Sequence, residues 1–166
     1  MTPKTIIIHH SVSNRDKTTL NNINEWHRVR FNFKSSLGYF VAYHYVILGS
    51  GEIVQTRQDN EIGAHTIPNE GKLGICLTGN FEGEQPSQAQ LSSLKNLLMN
   101  LKQAWNLTNN DIYPHNYYSS TLCPGKNLLV WLDNYKKQDL GFIQKQLFDI
   151  QQMINKLFVL LSKIRV

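Results

Sequence analysis

Charge is scarce in this chain: only 17% of its 166 residues are charged, while 41% are hydrophobic. That balance excludes a disordered, self-repelling polyelectrolyte and fits one domain with its own core and a short appendage. Long apolar runs are also missing. No stretch reaches the 18 or more residues that a membrane-spanning helix needs, so no span is expected. The opening MTPKTIIIHH has three isoleucines but no extended apolar segment and no small-residue cleavage site. It reads as a strand and not as a signal peptide, so action outside the cytoplasm is expected to need another delivery route. Cysteine is limited to Cys76 and Cys123, which excludes a disulfide framework and leaves each thiol needing its own explanation. Acidic residues are fewer than basic ones, 12 against 17, for a net charge of +5. The basic residues are scattered and not striped among aromatics, which argues against nucleic acid and leaves another polyanionic partner open.

What is present alternates between two periodicities. Ile6-Ile7-Ile8 suits a strand buried on both faces. From about Thr18 to Phe31, Leu20, Ile23, Trp26 or His27, and Arg30 or Phe31 fall at helical spacing. Residues 40–48 are aromatic and β-branched, and Gly49-Ser50-Gly51 turns them into a hairpin with residues 52–55. Residues 73–78 form another interior strand between glycines. Ser87 and Gln90 make a capping box ahead of a helix carrying Leu91, Leu94, Leu98, Leu101 and Trp105. A further helix is expected over residues 127–135, with Leu128, Trp131 or Leu132, and Tyr135 on one face. Intermixed strands and helices imply an α/β domain.

The C-terminus follows a different rule. Leu140, Ile143, Leu147, Ile150, Ile154, Leu157, Leu161 and Ile164 recur at alternating steps of three and four, about three and a half heptads. Leucine fills most a positions and isoleucine most d positions, a pattern that leans toward assemblies larger than dimers. The expected division is a domain over 1–137 and a heptad-repeat helix over 138–166 serving oligomerisation through 140–164. The bland alternative is a last helix docked on its own domain.

Three distant segments offer metal donors: His9-His10 at the end of the first strand, His115, and Cys123 ahead of Pro124-Gly125. A lone histidine is commonly a surface or core residue and a lone cysteine a small buried hydrophobe. Together they suit zinc, which accepts imidazole and thiolate and, with three protein ligands, keeps a fourth position for water. Strand ends are where α/β sheets place their sites.

These residues sit in stretches that carry a resemblance: IIIHHS at 6–11, INEWH at 23–27, AYHYVI at 42–47, GEIVQTR at 51–57, IGAHTIPNEGKLGICLTGNF at 62–81 and HNYYSSTLCPG at 115–125. In this order and spacing the chain resembles the N-acetylmuramoyl-L-alanine amidase family, which includes phage amidase-type lysozymes and peptidoglycan recognition proteins. The resemblance covers about residues 4–135 and implies a central mixed β-sheet flanked by helices. It implies one Zn2+ per chain held by His9, His115 and Cys123, and hydrolysis of the amide between N-acetylmuramic acid and L-alanine in bacterial peptidoglycan.

The same resemblance gives Tyr43 a place beside the metal-bound water. Thr121 stands where phage members often carry lysine and recognition proteins threonine. The resemblance places His65 and Asn69 at positions that line the family's substrate groove, with a loop hydrogen bond as the alternative for each. Arg57 is expected either to bind a stem-peptide carboxylate or only to close a turn. Since neighbours on a strand face opposite ways, His10 and His44 are expected to point away from a site that His9 and Tyr43 face. Cys76 and Trp26 are read as packing residues. A lytic enzyme of the phage endolysin type, made without a signal peptide and acting on the cell wall, is the leading expectation. Retention of Cys123 argues against a binding module without catalysis. A cytoplasmic recycling amidase is disfavoured because those relatives commonly carry aspartate there. A purely structural assembly role would rest on the heptads alone.

Overall fold

Ile6, Ile7 and Ile8 are wholly buried because their strand has hydrogen-bonded neighbours on both edges and cover on both faces. Each such burial contributes about 1.5–3 kcal/mol relative to an exposed side chain. A computed structural model describes the backbone of residues 1–164 and the side chains of 1–137, 145–158, 160 and 161. The strands are β1 (Thr5–His10), β2 (Tyr45–Ile47), β3 (Ile53–Gln55), β4 (Lys72–Leu77) and β5 (Ile112–Pro114). Their order across the sheet is β3-β2-β4-β1-β5. β1 runs parallel to β4 and β5, β2 runs parallel to β4, and only β3 is antiparallel to its neighbour. The sheet is mixed, as expected.

Three helices accompany it: α1 (Leu20–Phe31), α2 (Gln88–Trp105) and α3 (Lys126–Ile164). Ser87 and Gln90 form the expected capping box of α2, and Thr19 with Asn22 forms another at α1. On α2 the buried leucines are Leu94, Leu97, Leu98 and Leu101, while Leu91 and Trp105 sit at the margin of the stripe. Gln90 is fully buried, and its amide donates to the carbonyls of Ile47 and Thr78, tying the helix start to β2 and to the residue that follows β4.

Two expectations change. The strand expected from residue 40 begins only at Tyr45, because the backbone before it bonds elsewhere. The Phe40 N–H donates to Asn24 Oδ1 and the Ala42 N–H to His27 Nδ1, so two side chains of α1 take groups a ladder would have used. The helix expected to end at residue 135 continues to Ile164, since no proline follows Pro124 to interrupt it. The chain forms two compact units, Met1–Val130 and Trp131–Val166, and residues 137 and 138 lie within α3. In the second unit Leu147, Ile150, Ile154, Leu157 and Leu161 are exposed. The side chains of Leu140, Ile143 and Ile164 lie outside the described residues.

Candidate metal centre and its cleft

β1 delivers the first donor. His9 pairs in register with Cys76 on β4, and its ring is buried at the C-terminal end of the strand. His115 opens the short 3₁₀ turn after β5, and the two imidazole centroids lie 4.4 Å apart. Cys123 comes from the next loop, which the Asn116 N–H holds in place by donating to the Cys123 carbonyl. Gly125 closes that loop at φ +88°, where a Cβ would meet the Phe81 carbonyl carbon at 2.4 Å, so no other residue fits there.

The donor atoms of His9, His115 and Cys123 lie within 4.8 Å of one another. His9 Nδ1 and Cys123 Sγ are 3.8 Å apart. Zinc bonds of about 2.0–2.1 Å to nitrogen and 2.3 Å to sulfur at tetrahedral angles separate N and S by roughly 3.5 Å, so the spacing fits. No other group of three such side chains with this property occurs among the described residues.

The electrostatics suit a cation that brings its own charge. Burial holds His9 well below its ordinary pKa of 6.5, helped by His65 and His115, and burial also lowers His115. Both rings are therefore neutral at pH 7, the state in which an imidazole can bind a metal. Burial pushes the Cys123 thiol up to about 12, against the backbone N–H of His10, which donates to Sγ over 3.4 Å and favours the thiolate. Without a metal the thiol keeps its proton, so binding must release it.

A cleft of about 640 Å³ opens onto this cluster. Tyr43, Thr121, His65 and Asn69 all line it. The Tyr43 ring lies 4.9 Å from that of His9. Burial raises its phenol well above 10, with Cys76 and Cys123 adding to the shift, so the O–H stays protonated. Thr121 Oγ1 accepts the Cys123 N–H, leaving its own O–H able to donate. Asn69 Oδ1 accepts the backbone N–H groups of both His65 and Thr66, so it clamps the loop as well as lining the cleft.

Arg57 sits elsewhere. It does not line the cleft: its guanidinium is buried, donates to the carbonyls of Phe33 and Val41, and lies 4.4 Å over the Phe33 ring. It joins the chain before β2 to the segment after β3. His44 does point away, with Nδ1 accepting the Gly74 N–H and Nε2 donating to Glu61 O. His10 only half fits that expectation. Its Nδ1 accepts the Phe81 N–H, yet the residue contributes to the cleft wall.

Trp26 departs from the packing role expected of it. It is 49% exposed and, with His27, Arg30 and Phe31, makes α1 one wall of the cleft. Burial and the nearby Arg30 guanidinium bring His27 down to about 4. The sequence shows that past Ile23 the apolar stripe of α1 gives way to aromatic, imidazole and guanidinium groups, but not which way that face turns.

Fold and cluster together define a class, an α/β domain with a mixed five-stranded sheet and a donor set of two histidines and one cysteine at its strand ends. The particular family follows: the chain belongs to the N-acetylmuramoyl-L-alanine amidase family, whose profile matches residues 1–126. It is similar to the solved N-acetylmuramoyl-L-alanine amidase LysC from Clostridium intestinale, with 32% identity and a TM-score of 0.68 over 76% of this chain and 79% of that one. It is 34% identical to peptidoglycan-recognition protein SD of Drosophila simulans over 108 residues, covering 63% of this chain and 58% of that protein. The chain thus spans less than two thirds of that relative's length. A crystal structure of Drosophila PGRP-SD matches with 26% identity and a TM-score of 0.65, over 76% and 78% of the two chains.

Proposed function

We propose that this chain is a zinc-dependent hydrolase of the amide joining N-acetylmuramic acid to L-alanine in bacterial peptidoglycan, acting as a lytic enzyme of the endolysin type. The observation that carries the reading is the convergence of His9, His115 and Cys123 beside Tyr43, with His115 and Cys123 lining the cleft. Family membership and the likeness to LysC support it.

The chemistry asks for those groups. Zinc held by the two imidazoles and the thiolate supplies Lewis acidity to the scissile carbonyl and lowers the pKa of a water toward about 7. Tyr43, kept neutral by burial, is a hydrogen-bond donor and not a base. It suits the oxygen on which negative charge grows. Thr121 offers a second O–H from the opposite loop. The aromatic wall of Trp26 and Phe31 and the cation of Arg30 suit a sugar-peptide substrate with carboxylates. His65 and Asn69, which line the cleft, are read as substrate-binding residues, while Arg57 is read as the internal tie.

Peptidoglycan digested with zinc-loaded protein and read by mass spectrometry tests the proposal. Stem peptides beginning with a free L-alanine are the expected product. A second reading, recognition without cleavage, draws on the names of the similar peptidoglycan-recognition proteins. It would be preferred if wall fragments bound stoichiometrically and no peptide was released. The retained Cys123 favours the enzyme.

For the C-terminal part, our reading is that residues 138–166 gather several copies of the catalytic domain over 1–137 through the heptad seam. The exposed Leu147, Ile150, Ile154, Leu157 and Leu161 support it. An array of catalytic domains would gain avidity for a repetitive polymer.

A further inference from the structure

His65 stands between a backbone carbonyl and the first donor, and its hydrogen bonds leave only one arrangement of protons. Its Nε2 lies 3.2 Å from Lys72 O. A carbonyl has no hydrogen to give, so Nε2 carries the proton and donates. The neutral ring then has Nδ1 as its acceptor, and Nδ1 lies 3.1 Å from His9 Nε2. His9 must therefore carry its proton on Nε2. Its bare Nδ1 is the atom 3.8 Å from Cys123 Sγ.

The ring is fitted to its place. A Cβ at Gly63 would come within 2.6 Å of His65 Cδ2, and one at Gly74 within 2.7 Å of the same ring. Two absent side chains thus form the slot. His44 packs against the ring edge-on at 5.7 Å, and its Nδ1 accepts the Gly74 N–H, fixing the strand that makes one side. The His65 N–H is held by Asn69 Oδ1.

We propose that His65 is a positioning residue that selects the His9 tautomer with Nδ1 bare and aimed at the position shared with His115 and Cys123. Metal-binding histidines commonly donate their second N–H to a carboxylate, carbonyl or water, which orients the ring and strengthens the ligand. Here a second histidine takes that part and is itself oriented by Lys72 O. The loop over 63–69 supports this relay twice, since it carries both the ring and the Asn69 clamp. The inference rests on the reading that His9, His115 and Cys123 hold zinc.

Two measurements on the full chain test it separately. Long-range proton–nitrogen NMR of the metal-free protein reads the tautomers directly. His9 protonated on Nε2 and His65 protonated on Nε2 are expected, and a His9 proton on Nδ1 overturns the relay whether or not zinc binds. Zinc affinity, measured by competition with a chelator, then compares variants. His65→Phe keeps a ring in the slot without its nitrogens and is expected to weaken zinc binding about 10- to 100-fold. His65→Gln can both accept from His9 and donate to Lys72 O, and should recover part of the loss. Unchanged affinity in a folded His65→Phe protein overturns the positioning role. Absence of zinc binding in the unsubstituted protein would instead bring down the metal reading.

Discussion

The backbone N–H of His10 donates to the sulfur of Cys123 across 3.4 Å, although the two residues stand 113 positions apart in the chain. The strand that carries His9 thus also aims an N–H at the sulfur, and an N–H aimed at sulfur favours the thiolate. Cys123→Ser keeps the volume and the loop but not the soft ligand. Zinc affinity should fall further than the ~10–100-fold typical of residues one step removed from a metal. Release of stem peptides should vanish with circular dichroism unchanged. Full turnover in that variant would end the metal reading.

Tyr43→Phe separates holding the metal from using it. The ring still packs beside His9 and against the cluster of Ile23, Val41 and Val46. Zinc content should stay stoichiometric while kcat drops about 100- to 1000-fold, the usual cost of one oxyanion donor. A drop in zinc content with kcat per bound zinc unchanged would assign the phenol to the metal shell instead.

Arg57→Met asks whether the guanidinium serves the fold or the substrate. Removing it takes that donor from the buried Val41 O and from the partly buried Phe33 O. The expected cost is about 2–4 kcal/mol in urea unfolding. KM for wall fragments should be unchanged below the new melting temperature. A raised KM at unchanged stability would return Arg57 to substrate binding.

The metal-free protein should lose stability in mild acid. His27 and His65 have ordinary values of 6.5 and are held at about 4 and about 3 by burial. As pH falls below 6.5 the unfolded chain takes up protons that the folded chain refuses. The stabilisation is complete above 6.5, declines through the window down to about 4 for His27 and about 3 for His65, and is lost below. Urea midpoints at about pH 7.5, 5.5 and 4.5 should descend in that order. His27→Gln, which can still accept the Ala42 N–H, should flatten part of the slope. A slope identical to that of the unsubstituted protein would show that His27 is not among the groups responsible.

Removal of residues 138–166 tests the assembly reading. Static light scattering should give an oligomer for the full chain and a monomer for the chain ending at Lys137. A monomer in both cases eliminates the heptad seam as an interface.

Much of the architecture was legible because periodicity is written locally. Three consecutive isoleucines on β1, the leucine ladder of α2 and the Ser87 capping box need only neighbours a few residues away. The strand before Tyr45 was overestimated for the opposite reason. Asn24 and His27, on another element, take the backbone groups of Phe40 and Ala42. No local pattern reports such a bond. The cleft wall made by Trp26, Arg30 and Phe31 is hidden from the sequence in the same way, since helical spacing tells which residues share a face and not whether that face meets core or cleft.

By itself the amino-acid order determined the alternation of strands and helices, which follows from short-range spacing that folding does not alter. Its motif series offered His9, His115 and Cys123 as candidate donors through the resemblance it carries. Only the tertiary structure decided that Arg57 is an internal tie, that α1 turns an aromatic face to the cleft, and that His65 points one nitrogen at Lys72 O and the other at His9. The reason is directional. A hydrogen bond depends on where two groups point after the chain has closed on itself, and nothing in the linear order specifies that angle.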